Sequence, residues 1–163
     1  MIDSREGVEA DGLFALSEPR VDFLILADRA EIVAGKLYVM GGAWDQLFIQ
    51  DVTLPAWFSV AVGVEVPWNA TNEEHQVRLV LEDTDGHEIV PLGDSKFVVG
   101  RPPWAVPNTP QRVTFAVPIV AVTFPRLDSY VLRAFLNGVS AKRVTFRAMK
   151  AQPLMGLAPP QPS

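Results

Sequence analysis

The chain has 163 residues, with 14 Lys or Arg against 19 Asp or Glu, and its net charge of −5 is spread without a basic stripe, so we expect no nucleic-acid partner. It has no cysteine, which excludes disulfides and thiolate chemistry and fits the cytoplasm. No apolar run approaches the roughly 20 residues that span a bilayer, and the first residues lack a signal-peptide pattern, so we expect no membrane partner.

The length suits one domain with two tails. The 14 prolines, the 11 glycines and the abundant valine favour short strands and turns over a helical bundle. We predict an all-β, single-domain antiparallel β-sandwich of about eight or nine strands over residues 21–150, Ig-like or jelly-roll-like. Residues 1–20 are predicted to form a flexible arm and residues 151–163 a Pro-rich disordered tail. Apolar residues within the arm leave open whether it docks on the domain.

The first strand is predicted at residues 21–27, which are nearly all apolar, as in a strand buried on both faces. The polar residues 28–31 are expected to break it, and residues 36–40 to form the next strand. Two glycines then indicate a bulge or a close approach of another backbone. Residues 44–49 are expected to continue this strand.

Asp28 and Asp45 flank this pair of strands. Carboxylates at strand ends usually cap the backbone or form ion pairs, so an enzyme built on these two acids is only a third hypothesis. The chain contains no Gly-x-Ser-x-Gly, Walker or dinucleotide-binding motif. We therefore predict no catalytic residue.

The same region has a strand ending at Asp28, a Gly-Lys-Leu turn at residues 35–37, and a Gly-containing strand that leads to Trp44 and Asp45. This pattern resembles a family of bacterial proteins with no assigned function. A later Asp-Thr-Asp-Gly turn and the closing hairpin are similar as well, so the resemblance covers roughly residues 21–150. It implies a β-sandwich and brings no known catalytic residue.

The next strand is predicted to be central, because every even position from Phe58 to Val66 is apolar. The odd positions Ser59, Ala61 and Gly63 are small and uncharged. A flat outward face of this kind would accept a helix, another sheet or a second copy of the chain. In the alternative interpretation, the N-terminal arm or a neighbouring loop covers it.

Two tryptophans, Trp68 and Trp104, are predicted to lie in loops. They are candidates for a stacking platform for a sugar or for an anchor on a protein partner, because Trp buries a large area at low entropic cost. The alternative is that they plug the open ends of the sandwich.

A second alternating segment, residues 77–81, leads into an acidic turn. Asp83, Asp85 and Glu88 bring carboxylate oxygens to one side of this turn, and Ca²⁺ prefers oxygen ligands. The competing interpretation is a hairpin turn in which the Asp85-Gly86 dipeptide supplies positive φ angles. With only two histidines and no cysteine, a transition-metal site has little support.

The rest of the chain is predicted to be strands and one long loop. Short strands are expected at residues 89–92 and 96–99, followed by a Pro-rich crossing loop at residues 101–110. Residues 112–124 are predicted to form a further strand. Pro118 indicates that part of this strand lies at a sheet edge or in a bulge.

The last predicted element is an antiparallel hairpin. Its strands, residues 130–136 and 143–149, alternate in polarity and enclose Asn137-Gly138, a dipeptide typical of tight hairpins. This is the strongest local signal in the chain.

Two functions follow as expectations. The first is a non-catalytic protein-interaction or assembly module, with a protein partner or a homo-oligomer. The alternative is a small-ligand binder, for carbohydrate through Trp68 and Trp104 or for Ca²⁺ through the acidic turn. Fold class alone does not decide between them, because sandwiches support many functions.

Overall fold

The computed structural model describes residues 18–152. Within them the chain forms nine strands: β1 (Arg20–Val33), β2 (Lys36–Gly42), β3 (Gln46–Ile49), β4 (Ala56–Val66), β5 (Glu74–Asp83), β6 (Glu88–Val98), β7 (Gln111–Val122), β8 (Ser129–Leu136) and β9 (Val139–Lys150). A short 3-10 turn, Trp68–Ala70, connects β4 to β5. The arm predicted at residues 1–20 and the tail predicted at residues 151–163 lie largely outside the described residues.

The strands form two sheets that pack face to face. The four-stranded sheet has the order β2-β1-β4-β7, and the five-stranded sheet has the order β3-β9-β8-β5-β6. All pairings are antiparallel except that of β3 with β9. The predicted all-β sandwich of about eight or nine mainly antiparallel strands is therefore confirmed. Residues 18–152 contain no helix with the length and hydropathy to cross a membrane.

The core forms where the apolar sides of the strands meet. The even positions of β4, from Phe58 to Val66, are buried as predicted, and they pack with Leu79, Leu132 and Phe146 of the opposite sheet. Edge-on contacts between aromatic rings fill one end of this core, with Trp44 against both Phe58 and Phe146 at 5.8 Å between centroids. Such geometry favours the ring quadrupoles as well as burying area.

Three strand predictions need correction. The polar residues 28–31 do not break β1, because residues 29–33 pair with β2 as a two-stranded ladder. Residues 46–49 do not continue β2; they cross to the other sheet and pair with β9. The segments at residues 89–92 and 96–99 are one strand, β6, whose register shifts accommodate its irregular alternation.

Two other predictions are confirmed. Asn137 and Gly138 both have positive φ, 51° and 80°, as the tight turn between β8 and β9 requires. Pro118 lies in β7, an edge strand of the four-stranded sheet, where a missing amide donor is tolerated.

The strand directions give the sandwich two distinct ends. The end we call the loop end has the β4–β5 connection, the long β6–β7 loop and the β8–β9 turn. The opposite end, which we call the hairpin end, has the β1–β2 turn, the β3–β4 connection and the acidic β5–β6 turn. The predicted tryptophan site lies at the loop end and the acidic turn at the hairpin end, whereas Ser59, Ala61 and Gly63 lie within β4.

Candidate interaction surface

The hairpin formed by β1 and β2 extends past the neighbouring strand of its sheet. The pairing of β1 with β4 ends at Ala27 and Ser59, whereas its pairing with β2 continues to Val33 and Lys36. Beyond Ala27, the described register thus gives β1 a partner on one side only. Residues 28–42, which we call the arm hairpin, form a two-stranded extension at the hairpin end.

The arm hairpin exposes large apolar side chains, namely Ile32, Val33, Tyr38, Val39 and Met40. Tyr38 and Met40 are 49% and 47% exposed, and they lie next to each other on one face of β2. Single exposed apolar residues are ordinary, but a contiguous group on an element with little packing is typical of an interaction site.

The turn at the tip of the arm hairpin determines which backbone groups face outward. Ala34 and Gly35 have φ angles of 48° and 73°, as a two-residue type I′ turn requires. The residues flanking such a turn exchange both of their hydrogen bonds, and hydrogen-bonded pairs then alternate along the ladder. The N–H and C=O groups of Leu37 and Val39 therefore point away from β1. Among residues 18–152, β2 is the outer strand of its sheet and no other strand pairs with these groups, so within this part of the chain they form a free edge.

The charges of the arm hairpin cancel. It contains Asp28 and Glu31 against Arg29 and Lys36, in a chain whose overall charge is −5. Arg29 Nη2 pairs with Glu31 at 3.0 Å on the surface. A partner therefore approaches a locally neutral, apolar strand.

More apolar surface lies at the same end of the sandwich. Phe48, Leu54 and Trp57 line an open groove of about 420 Å³ beside the β3–β4 connection, and Trp57 is 62% exposed. Neither this groove nor the arm hairpin was predicted from the sequence. The available signal was the run of Ile32 and Val33 before a two-residue turn, but its Ala-Gly dipeptide is a weak turn marker compared with Asn-Gly.

The small-residue face of β4 is buried by the chain itself. Ala61 is 0% and Ser59 5% exposed, and the ring of Phe23 from β1 covers Gly63 so closely that an added Cβ would clash with it. Strands β1 and β7 also contact each other across β4, so this sheet is strongly curled. The expectation of a flat, accessible surface at these residues is therefore wrong, because Ser59 and Ala61 are buried and Phe23 covers Gly63.

The two loop tryptophans lie at the loop end but have different surroundings. The Arg101 guanidinium lies 4.6 Å above the ring of Trp68, and Arg101 also donates hydrogen bonds to the Trp68 carbonyl at 2.7 Å and to Thr71 at 2.5 Å. One face of Trp68 is therefore occupied by a cation–π contact that holds the β4–β5 and β6–β7 connections together. Trp104 is 82% exposed in the Pro-rich loop.

In the acidic turn, Asp83, Asp85 and His87 can each offer one ligand atom within 4.8 Å of the others. Asp83 Oδ1 already accepts the backbone N–H groups of Asp85 and His87, at 3.0 and 2.8 Å. The hydrogen bond from the His87 amide keeps the pKa of Asp83 below its usual value. Glu88 instead forms a two-oxygen pair with Arg78, at 2.7 and 2.9 Å. Of the Asp85-Gly86 dipeptide predicted to supply positive φ angles, Gly86 has one, 86°, and Asp85 does not.

Asp28 and Asp45 contact different parts of the chain. The side chain of Asp28 lies against Gly41 of β2, and the backbone carbonyl of Asp45 accepts the Arg147 N–H at 2.8 Å. The acidic turn is the one group of three metal-ligating side chains found in residues 18–152, and it includes neither acid. The Asp28 carboxylate thus lies within the arm hairpin, whereas Asp45 makes its contact through the backbone.

Residues 22–149 match the model of a family of unknown function, DUF6941. The chain belongs to this family. The resemblance seen in the sequence to a family with no assigned function is thereby confirmed. No curated protein matches the chain.

Several solved structures are distantly similar to this member of DUF6941. The alkylpurine DNA glycosylase AlkC of Pseudomonas fluorescens, bound to DNA containing an abasic site analog, is 12% identical with a TM-score of 0.43, over 82% of this chain and 31% of AlkC. A β-glucosidase of Listeria innocua in complex with isofagomine is 8% identical with a TM-score of 0.40, over 64% of this chain and 14% of the enzyme. A β-glucosidase of Listeria innocua in complex with glucose is 9% identical with a TM-score of 0.42, over 80% of this chain and 16% of the enzyme. The chain thus spans less than a third of each of these proteins.

Proposed function

We propose that the chain is a non-catalytic protein-interaction module that binds a polypeptide along the free edge of β2. The observation that carries this proposal is the arm hairpin, which presents exposed Tyr38, Val39 and Met40 together with outward backbone groups. A strand added to a free edge gains backbone hydrogen bonds, while apolar side chains on alternate positions supply area and specificity. Natural sheets usually protect such an edge with charge or proline, and Leu37 to Gly42 contain neither.

As part of this proposal, the module works in a bacterial cytoplasm and has no nucleic-acid partner. Two features of the composition support this setting. A chain without cysteine has no need of an oxidising compartment, and a net charge of −5 disfavours binding to phosphate backbones.

The ligand-binding alternative has weaker support. One face of the Trp68 ring already stacks with Arg101, so a sugar on that face would have to displace this contact. At the acidic turn, Asp83 serves as a backbone acceptor and Glu88 is paired with Arg78, which leaves fewer oxygens for Ca²⁺. The contact of Trp68 with Arg101 and the hydrogen bonds of the acidic turn are both explained by local structure.

Site-specific photocrosslinking in the native cells tests the proposal. A photoreactive phenylalanine analogue replaces Tyr38, and in a matched variant it replaces Trp104, an exposed aromatic residue at the opposite end. We expect one defined polypeptide adduct from position 38. We also expect Val39→Pro to abolish it, because proline removes an outward amide donor without removing a hydrogen bond to β1. The folding of Val39→Pro is checked by circular dichroism.

Two results would contradict the proposal. One is the absence of any adduct from position 38. The other is an adduct that forms equally from position 104, or that persists in a folded Val39→Pro variant, since contact would then not depend on the β2 edge.

A further inference from the structure

We infer that the polypeptide bound at the β2 edge is a second copy of this chain, paired antiparallel through β2 about a two-fold axis at Val39. This inference rests on the proposed function and names its partner. It would join two four-stranded sheets into one continuous sheet across the dimer.

The backbone of β2 is compatible with pairing to itself. Its outward N–H and C=O groups belong to Leu37 and Val39, and the alternation stops before Gly41, whose φ of 58° departs from the extended strand. An antiparallel register centred on Val39 places Val39 opposite itself and Leu37 opposite Gly41 of the second copy. The outward groups of Val39 then meet the outward groups of Val39 in the second copy. A register shifted by one residue would instead place outward-facing N–H and C=O groups opposite backbone groups that are already hydrogen-bonded to β1.

The side chains are complementary in the same register. Tyr38 lies opposite Met40 of the second copy, and by symmetry this contact forms twice. Such pairs are the closer type in an antiparallel ladder, with Cα atoms about 4.5 Å apart. An aromatic ring against a Met thioether is a favourable cross-strand contact. These two residues are half-exposed in the single chain, so their burial would supply much of the driving force.

Charge favours the second copy as well. Two copies of an acidic chain repel each other in general, but the arm hairpin has two acids and two bases and hence no net charge. In the centred register Lys36, the charged residue of β2, lies opposite Gly42 rather than opposite a like charge. The edge where the copies would meet thus lies on a hairpin with no net charge.

Single cysteines test both the partner and the register, because the chain has no native thiol. In Val39→Cys, the two introduced residues would have Cα atoms about 5.5 Å apart, within the range of a disulfide. In Lys36→Cys, the same register separates them by about 20 Å, six residues along a strand. Under mild oxidation we expect a disulfide-linked dimer from Val39→Cys and almost none from Lys36→Cys.

Sedimentation of the unmodified chain provides an independent measurement. We expect a concentration-dependent species of twice the 17.9 kDa of one chain. Val39→Lys should shift it to the monomer, because an edge lysine opposes pairing. Val139→Lys should leave it unchanged, since Val139 is exposed in β9, whose turn lies at the other end.

The outcomes separate this inference from the proposed function. A monomer at all concentrations, with no dimer from Val39→Cys, would overturn the second copy as partner. The proposed function would nevertheless stand if position 38 crosslinked to a different polypeptide in an edge-dependent way. A dimer from Lys36→Cys equal to that from Val39→Cys would overturn the register.

Discussion

At the scale of single residues, Gly63 shows how the close approach of a neighbouring side chain can require glycine within a strand. The position is central in β4, where glycine costs conformational entropy and offers no side chain to pack. The ring of Phe23 occupies the space that a Cβ would take. The small residues of this strand are therefore part of a second, intramolecular packing layer on the outer face of the sheet.

We predict that Gly63→Ala destabilises the fold by about 1–3 kcal/mol, because Phe23 or the backbone must move. Gly100→Ala is the matched control, since nothing lies within 4 Å of its added Cβ. That variant should stay within about 0.5 kcal/mol of the parent chain. Urea unfolding followed by fluorescence measures both. Equal stability of the two variants would refute this account of the covered face.

At the scale of elements, the two tight hairpins differ in how well their sequences suit their turns. Both turns have positive φ at their two central residues, Asn137-Gly138 in one and Ala34-Gly35 in the other. Asn tolerates this conformation, and Asn137 also accepts the Gln76 N–H at 2.9 Å and contacts His75 Nδ1 at 3.2 Å. Ala34 has no such compensation from its side chain, so the arm hairpin retains local strain.

We predict that Ala34→Asn stabilises the protein by about 0.5–1 kcal/mol, because Asn is favoured at this turn position. The reverse change at the other hairpin, Asn137→Ala, should cost about 1–3 kcal/mol, since it also leaves the buried His75 without a partner on Nδ1. Thermal unfolding checks that Ala34→Asn raises the midpoint temperature and that Asn137→Ala lowers it. A lower midpoint temperature for Ala34→Asn would contradict the backbone strain at the tip of the arm hairpin.

At the scale of the whole molecule, packing is very uneven. Strand β4 is buried on both faces, between the sandwich core and the side chains that cover its outer face. The arm hairpin has mostly exposed positions and, past Ala27, pairs only with itself. Regions with few buried contacts open at low free energy, while strands of the core open only near global unfolding.

Hydrogen exchange should therefore follow this gradient. At low protein concentration, we expect the amides of β4 to exchange most slowly and those around Ala34 and Gly35 to be the fastest of the paired strands. Mass spectrometry of peptic fragments resolves the two regions. Comparable protection at both would mean that the arm hairpin is held by contacts other than those described.

The fold class, the central strand and the closing hairpin could be predicted from the sequence. These features depend on local signals, namely the two-residue alternation in β4 and the positive-φ preference of Asn137-Gly138, which act over a few neighbouring positions. Family membership was likewise visible in short motifs near Asp28 and Trp44. The candidate site, in contrast, was not predictable from such signals.

Which apolar residues are covered could be seen only in the folded chain. Ser59, Ala61 and Gly63 have the pattern of an exposed face, but Ser59 and Ala61 are buried and Phe23 from another strand lies over Gly63. Tyr38 and Met40 have the pattern of an ordinary strand, yet they lie on the outer strand of the sheet, in a hairpin that extends past the end of the β1–β4 pairing. Exposure depends on which strands end where and how a sheet curls, and these properties arise from contacts between residues distant in the chain.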